Sequence, residues 1–459
     1  METQDSKILA FLAKHLPDTA PDHSLSNFKS WVVQSRSYIS RVVRDPVEAQ
    51  ATSTQKVRNQ RKKKLVKQLL LNTHNDCINT AIGKLQKLIP THVVKRKVVP
   101  YPPSNYWIVE SQEIWDLWRY RITTAPQPDA CIRRKPMHMV DESKLAYDVH
   151  GKESAIFVDE KKNPVAVVIS ELCDSEEILF WANEIVLLNV ALERNVRKED
   201  AGSIVISGWS AGSRSRMHLD FARNLKSKSK LSALEKHELQ YKSASVFALF
   251  WNLVKSFGPK EVVEDLEEFV KENDLYRMDT SYVQNRKSQT YTIDVGDGVP
   301  VTFHNTDLAP PSGVFARNYA RCVCSVYISG FLIVNRPVHY EKQPHKWAAS
   351  WTTYRDNTRS QMGGHFYLAS YGIRIQGASN RAVFWRLADW HGTSLPNLEP
   401  SEKEGPLLQS GLAIVTLARL PAAFRRFHKG QLSAEELHAE ISNQCDELGL
   451  EEAMKDFAL

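Results

Sequence analysis

From residue 285 to 420 the chain breaks into eight short runs rich in β-branched and aromatic residues: YTIDV, PVTFH, CVCSVYI, FLIVN, WAASWTTY, HFYLASYGIRI, AVFWRL and GLAIVTLA. Turn residues separate the runs and no helical stretch lies between them, which argues against repeated strand–helix–strand units. The pattern predicts a barrel or a jelly roll. The rest of the chain has a different texture. Residues 1–100 read as a helical, basic region, with apolar positions at helical spacing in SKILAFLAKHL and in LVKQLLLNTHNDCINTAIGKLQKLI. Residues 101–284 read as an α/β and helical middle region. It holds the hairpin AIFVD/PVAVVIS and the helices SEEILFWANEIVLLNVALERN, ALEKHELQYKSASVFALFWNLVKSF and EVVEDLEEFVKEN. Residues 421–459 read as a helical tail. The fold class expected is α+β.

At 459 residues the chain has room for about three domains of roughly 150 residues each. A hydrophobic share of 42% with 25% charged residues excludes a disordered chain, a collagen and a membrane bundle. No run of 18 apolar residues occurs, so no membrane partner is expected. The first residues, METQDSKILAFLAKHLPD, lack the basic start and continuous apolar core of a signal peptide, so the expected compartment is nuclear or cytoplasmic. Six cysteines without a CxxC pair argue against a zinc ribbon and a disulfide scaffold. A formal charge of +7 permits a nucleic-acid partner without demanding one.

The sharpest chemistry lies inside the β-rich segment. His339 and Glu341 are two residues apart, and on a strand that spacing puts both side chains on one face. His391 follows 52 residues after His339. Two histidines and one carboxylate on a divalent ion leave coordination positions open, as in the facial triad of non-haem Fe(II) oxygenases. His345 is the fallback ligand. Fifteen histidines make accidental matches to H-x-E…H easy, so the residues between the two ends matter.

Those residues are Gly363-Gly364-His365-Phe366-Tyr367-Leu368, then Tyr371-Gly372-Ile373-Arg374-Ile375, then AVFWRLADWHGTSLP, with Arg317–Ala320 (RNYA) upstream. Together they resemble the TET/JBP-like Fe(II)/2-oxoglutarate-dependent dioxygenases, fungal TET-like members above all. The resemblance covers roughly residues 300–420. It implies a C-terminal double-stranded β-helix, Fe(II) and 2-oxoglutarate as cofactors, O₂ as the second partner, and His339, Glu341 and His391 as metal ligands. Two positions depart from the family. Glu341 stands where Asp is usual, one methylene longer. The arginine that pairs with the far carboxylate of 2-oxoglutarate is expected soon after the distal histidine, and that stretch here is a polar loop around Ser401. Arg419, at the end of GLAIVTLA, and Arg386 are the candidates for that role. Asp389 is a candidate to orient His391.

The resemblance also implies oxidation of a C–H, such as a methyl group on a nucleobase like 5-methylcytosine. A base in a duplex must be flipped out to reach an iron centre. Trp347, Trp351, Tyr354, Arg355, Trp385 and Trp390 are candidates for stacking and phosphate contacts, with core packing as the alternative. Lys56–Lys64, Lys95–Lys97 and Arg214–Lys230 are the basic stretches. Two other readings stay open. One is a nucleic-acid-binding protein that keeps the fold without catalysis. The other is a serine hydrolase using Ser210, since Gly208-Trp209-Ser210-Ala211-Gly212 follows the strand-like SIVIS and precedes a helix-like SRSRMHLDFARNL, with Asp307 and His339 as triad partners. His218-Leu219-Asp220 is a second H-x-D, expected on that helix, where i and i+2 diverge by about 200°.

Overall fold

A computed structural model describes residues 89–124, 135–173, 176–196, 202–212, 217–222, 231, 233–276, 278, 290–293, 301–304, 311–318, 338–341, 344–356, 362–398, 407–416 and 419–431. The helices expected within 1–88, the basic stretch Lys56–Lys64, most of Arg214–Lys230, the runs CVCSVYI and FLIVN, Asp307 and the tail segment SAEELHAEIS lie outside the described residues.

In chain order the elements begin with β1 (Thr91–Val93), β2 (Trp107–Val109), α1 (Gln112–Thr123), β3 (Met137–Met139), β4 (Tyr147–Val149), β5 (Ala155–Val158) and β6 (Pro164–Ser170). The middle of the chain supplies α2 (Glu176–Leu192), β7 (Ser203–Gly212), β8 (Met217–Phe221), α3 (Ala233–Phe257) and α4 (Lys260–Glu272). The rest is β9 (Thr290–Ile293), β10 (Val301–His304), β11 (Ser312–Arg317), β12 (Trp347–Arg355), β13 (Phe366–Leu368), β14 (Ile373–Ile375), β15 (Arg381–Arg386), β16 (Gly392–Thr393), β17 (Gln409–Ile414) and α5 (Leu420–His428). The fold is therefore mixed α and β, with extensive sheet.

Nine strands form one sheet in the order β1-β5-β6-β15-β12-β17-β11-β7-β8, and four form a second in the order β16-β13-β14-β4. From β11 onward the chain alternates between them. β11, β12, β15 and β17 are antiparallel neighbours in the large sheet, while β13, β14 and β16 lie in the small one. The stretch HFYLASYGIRI, expected as one strand, is the hairpin of β13 and β14, turned at Gly372 with φ +70°.

Strand alternation divides the core into two layers. On one face of the large sheet Trp347, Ala349, Trp351, Ala382, Phe384, Leu412 and Ile414 pack against α2, α3 and α4 through Ile185, Phe250, Trp251 and Leu266. On the other face Ala348, Val383, Trp385 and Ala413 meet Leu368, Ile373 and Ile375 of the small sheet. A strand buried on both faces needs a continuous apolar run, which is what PVAVVIS of β6 supplies. α4 reaches the core with one stripe only, Val262, Leu266, Phe269 and Val270, which recur at helical spacing. A third cluster joins α1 to β2 and β3 through Trp107, Ile114, Trp118 and Met137.

The large sheet joins strands from both sides of residue 285: β6 pairs with β15 and β7 pairs with β11. One feature differs from expectation. The segment after Gly212 is a strand, β8, and not a helix, because it pairs antiparallel with β7 (Trp209 opposite Phe221, Ser210 opposite Asp220). A sheet edge needing hydrogen-bond partners outweighs a local helical pattern.

Candidate metal centre

His391 immediately precedes β16, and His339 lies opposite it in an isolated antiparallel bridge. Each residue's amide donates to the other's carbonyl, at 2.8 Å and 2.7 Å. The Glu341 amide donates to the Leu387 carbonyl at 2.8 Å. The short segment 338–341 is thus laid along 387–391 by main-chain bonds. The i, i+2 spacing then turns both His339 and Glu341 toward His391. The imidazole ring centroids of the two histidines are 4.4 Å apart, and His339 Nε2 is 3.4 Å from Glu341 Oε1. One donor atom from each of the three residues lies within 4.8 Å of the others, and all three residues are buried.

The His391 Nδ1 is 2.7 Å from the Asp389 carbonyl oxygen. A carbonyl only accepts, so Nδ1 carries the proton and Nε2 the lone pair. Asp389 therefore orients His391 through its main chain. Its carboxylate is engaged elsewhere, by Arg96 at 2.8 Å and by the Tyr371 hydroxyl at 3.1 Å. Burial raises the Asp389 carboxyl above the usual range, and Arg96 opposes that shift. Phe366 and Trp385 wall the inner side, with ring centroids 6.0 Å and 5.8 Å from His391. The fully buried Trp385 Nε1 has no hydrogen-bond partner among the described protein groups.

The donor set suits a divalent first-row ion: two imidazoles and one carboxylate, all buried, with donor atoms close enough to share one ion. The longer carboxylate of Glu341 still reaches His339.

The other candidates fall elsewhere. His345 donates Nδ1–H to the Trp347 carbonyl at 2.7 Å and packs on Phe269 of α4, 5.2 Å between rings; burial lowers its pKa. Arg386 lies over the Trp347 ring on the helix side of the large sheet and 3.8 Å from Asp159. Arg419 caps α5, its carbonyl accepting from the Ala423 amide at 3.0 Å. β17 ends at Ile414, so the chain has left the sheet before it reaches Arg419. Neither arginine lines the cavity between the sheets. Ser210 belongs to the continuous strand β7 and is followed by β8. The strand–turn–helix of a nucleophile elbow is absent there, which removes the hydrolase reading. Of the six stacking and phosphate candidates, Trp347 and Trp351 face the helices, Trp385 is between the sheets, and Arg355 is buried. Tyr354 and Trp390 retain exposure.

Sequence reasoning missed three parts of this region. A cavity of about 100 Å³ opens between the two sheets and is lined by Phe366, Ile375, Arg381, Thr393 and Gln409 among others. Thr393, which lines it, is two residues past His391. Arg96 supports Asp389 from 293 residues away, a pairing that no spacing rule signals. Tyr340 stands 43% exposed with its ring 4.9 Å from Trp390.

No family model matches the chain, and no curated protein matches it. Among solved structures, one similar to it is NgTET1 in complex with 5mC DNA, at a TM-score of 0.34 and 9% identity, covering 66% of this chain and 86% of that one. Another is IDO from Bacillus thuringiensis, at a TM-score of 0.22 and 11% identity, covering 55% and 91%. These likenesses are a weak link at the level of fold. Among the described residues no helix is long and apolar enough to cross a membrane.

Proposed function

We propose that the chain is an Fe(II)/2-oxoglutarate-dependent dioxygenase whose C-terminal half is a double-stranded β-helix. The observation that carries this reading is the meeting of His339, Glu341 and His391, all buried, with donor atoms within 4.8 Å of one another. The alternation of β11 to β17 between those sheets supports the jelly-roll reading.

His339, Glu341 and His391 would hold the iron. When bound, Fe(II) with 2-oxoglutarate and O₂ supplies the oxidation of a substrate C–H, while 2-oxoglutarate leaves as succinate and CO₂. The chain's own residues prepare the site. The Asp389 carbonyl fixes the His391 tautomer, the Glu341 carboxylate offsets cationic charge, and Phe366 and Trp385 exclude water. The substrate class we infer is a nucleobase carrying a methyl group, such as 5-methylcytosine. Lys95 and Arg96 are exposed, and Arg96 is tied to Asp389 beside the half-exposed Tyr340 and Trp390 pair. Cations for phosphates next to aromatic faces for a base make up a single-strand contact surface.

The test is anaerobic titration of the full chain with Fe(II), followed by a succinate-release assay. The expected result is one ion per chain and turnover of 2-oxoglutarate, both lost in His391→Ala. Absence of iron binding by the wild type overturns the reading. The Glu in place of the usual Asp favours a second reading, a nucleic-acid-binding module without catalysis. Its mark is salt-dependent DNA binding with no succinate. Under either reading, K95A/R96A lowers the magnitude of the slope of log K against log salt by roughly 1.4 on single-stranded DNA.

A further inference from the structure

Trp351 of β12 and Trp385 of β15 are both fully buried, on opposite faces of the large sheet. Trp351 packs with the helix layer, and its indole Nε1 donates to Asn380 Oδ1 at 3.2 Å. Trp385 faces the small sheet, and its Nε1 donates to no described protein group. An indole N–H can only donate, so an unpaired one in a core is a standing cost unless something accepts from it. Trp251 of α3 also has an unpaired Nε1, but it packs in the helix layer.

The position of Trp385 points to what could accept. Its cross-strand neighbours are Ala348 of β12 and Ala166 of β6, two small side chains that leave an indole room on the inner face. Its ring centroid is 5.1 Å from Phe366 and 5.8 Å from His391, and Phe366 is 6.0 Å from His391. The three rings thus form one group, of which His391 is a candidate metal ligand. The turn 386–390 joins Trp385 to His391 and is held by main-chain bonds. The Asp389 amide donates to the Arg386 carbonyl at 3.1 Å, and the Leu387 amide to the Lys346 carbonyl at 2.9 Å. The indole and the imidazole are therefore fixed relative to each other before any ion arrives.

Two imidazoles and one carboxylate leave coordination positions open on a divalent ion. Whatever fills such a position carries lone pairs. An indole N–H can bond one of them without adding charge to the site.

We propose that Trp385 is a positioning residue of the candidate metal centre, its indole N–H donating to a small anion bound at an open position of the ion beside His391. This rests on the metal reading and goes beyond it, since the three ligands alone do not specify a donor for the further one.

The experiment loads the full-length chain with Co(II), a divalent ion with visible absorption bands, and titrates azide as the small anion. Wild type is expected to bind azide saturably with a change in those bands. Trp385→Phe weakens azide about tenfold, the scale of a lost hydrogen bond to a charged acceptor, and keeps Co(II). Trp351→Phe and Trp251→Phe leave azide unchanged. Thermal melting of each variant separates lost binding from lost fold. If Trp385→Phe does not fold, 3-benzothienylalanine at position 385, which replaces the N–H by sulfur at nearly constant shape, decides by the same titration. Wild-type azide affinity without the N–H overturns the proposal. So does a loss of Co(II) affinity with azide binding on the loaded chain unchanged, because the N–H then serves a protein ligand. A wild type that takes Co(II) but no azide overturns the Trp385 role and leaves the metal reading standing. A wild type that takes no Co(II) overturns both.

Discussion

Glu193, one residue past α2, shows what a single side chain can impose. It is buried, its Oε2 has no hydrogen-bond partner among the described residues, and burial alone pushes its pKa up to about 8. The folded state therefore holds the acid neutral, while the unfolded chain ionises near 4.5. Its contribution is fully present below that unfolded value and is lost as pH rises toward 8. Urea unfolding at pH 5 and pH 8 will show wild type losing about 2–4 kcal/mol more than Glu193→Gln over that interval. Equal pH dependence in the two proteins would refute the assignment. At the candidate metal centre, Glu341→Asp pulls the carboxylate back by one methylene. Iron affinity is expected to fall, read by the same anaerobic titration, because segment 338–341 is held by main-chain bonds that do not move with the side chain.

At the scale of elements, close approach decides stability. Phe247 of α3 sits on Gly313 of β11, where an added Cβ would come within 2.2 Å of its ring and 2.8 Å of the Ala413 carbonyl. Gly313→Ala is expected to cost about 1–3 kcal/mol by overpacking, with part of the loss recovered in G313A/F247L. Chemical denaturation of the two variants checks this, and additivity of G313A and F247L would sink it. Helix α1 depends on its cap: the Ser111 hydroxyl accepts from the Ile114 amide at 3.3 Å. Ser111→Ala is expected to cost about 1 kcal/mol. That helix also anchors the loop after β16, since Trp118 Nε1 donates to the Pro396 carbonyl at 2.7 Å.

For the whole molecule, the large sheet is stitched from distant stretches of chain. β15 has β6 on its outer side and β11 has β7, so cutting at residue 285 strips both flanks from the strands around the cavity. A fragment of residues 285–420 is therefore expected not to fold cooperatively alone. Circular dichroism with a thermal ramp tests it, and a cooperative transition would count against it. Arg374 makes the same point for charge. It joins Asp148 and Glu142, residues more than 200 positions earlier, across the β14–β4 pair.

Local pattern made several features legible in advance. Short β-branched runs marked β12, β15 and β17, amphipathic spacing marked α4, and the i, i+2 spacing of His339 and Glu341 marked two side chains for one side of an extended segment. Each depends only on backbone periodicity, which a residue carries with it. The rest had to wait for the fold. β8 became a strand because β7 offered an edge, and Arg419 left the sheet because β17 stopped short of it. His391 met His339 only when segment 338–341 was laid along 387–391, and Arg355 met Gln409 only when β12 paired with β17. Contacts across 50 or more residues carry no local energetic signature, so their partners are chosen by packing and by the need to bury and satisfy polar groups together.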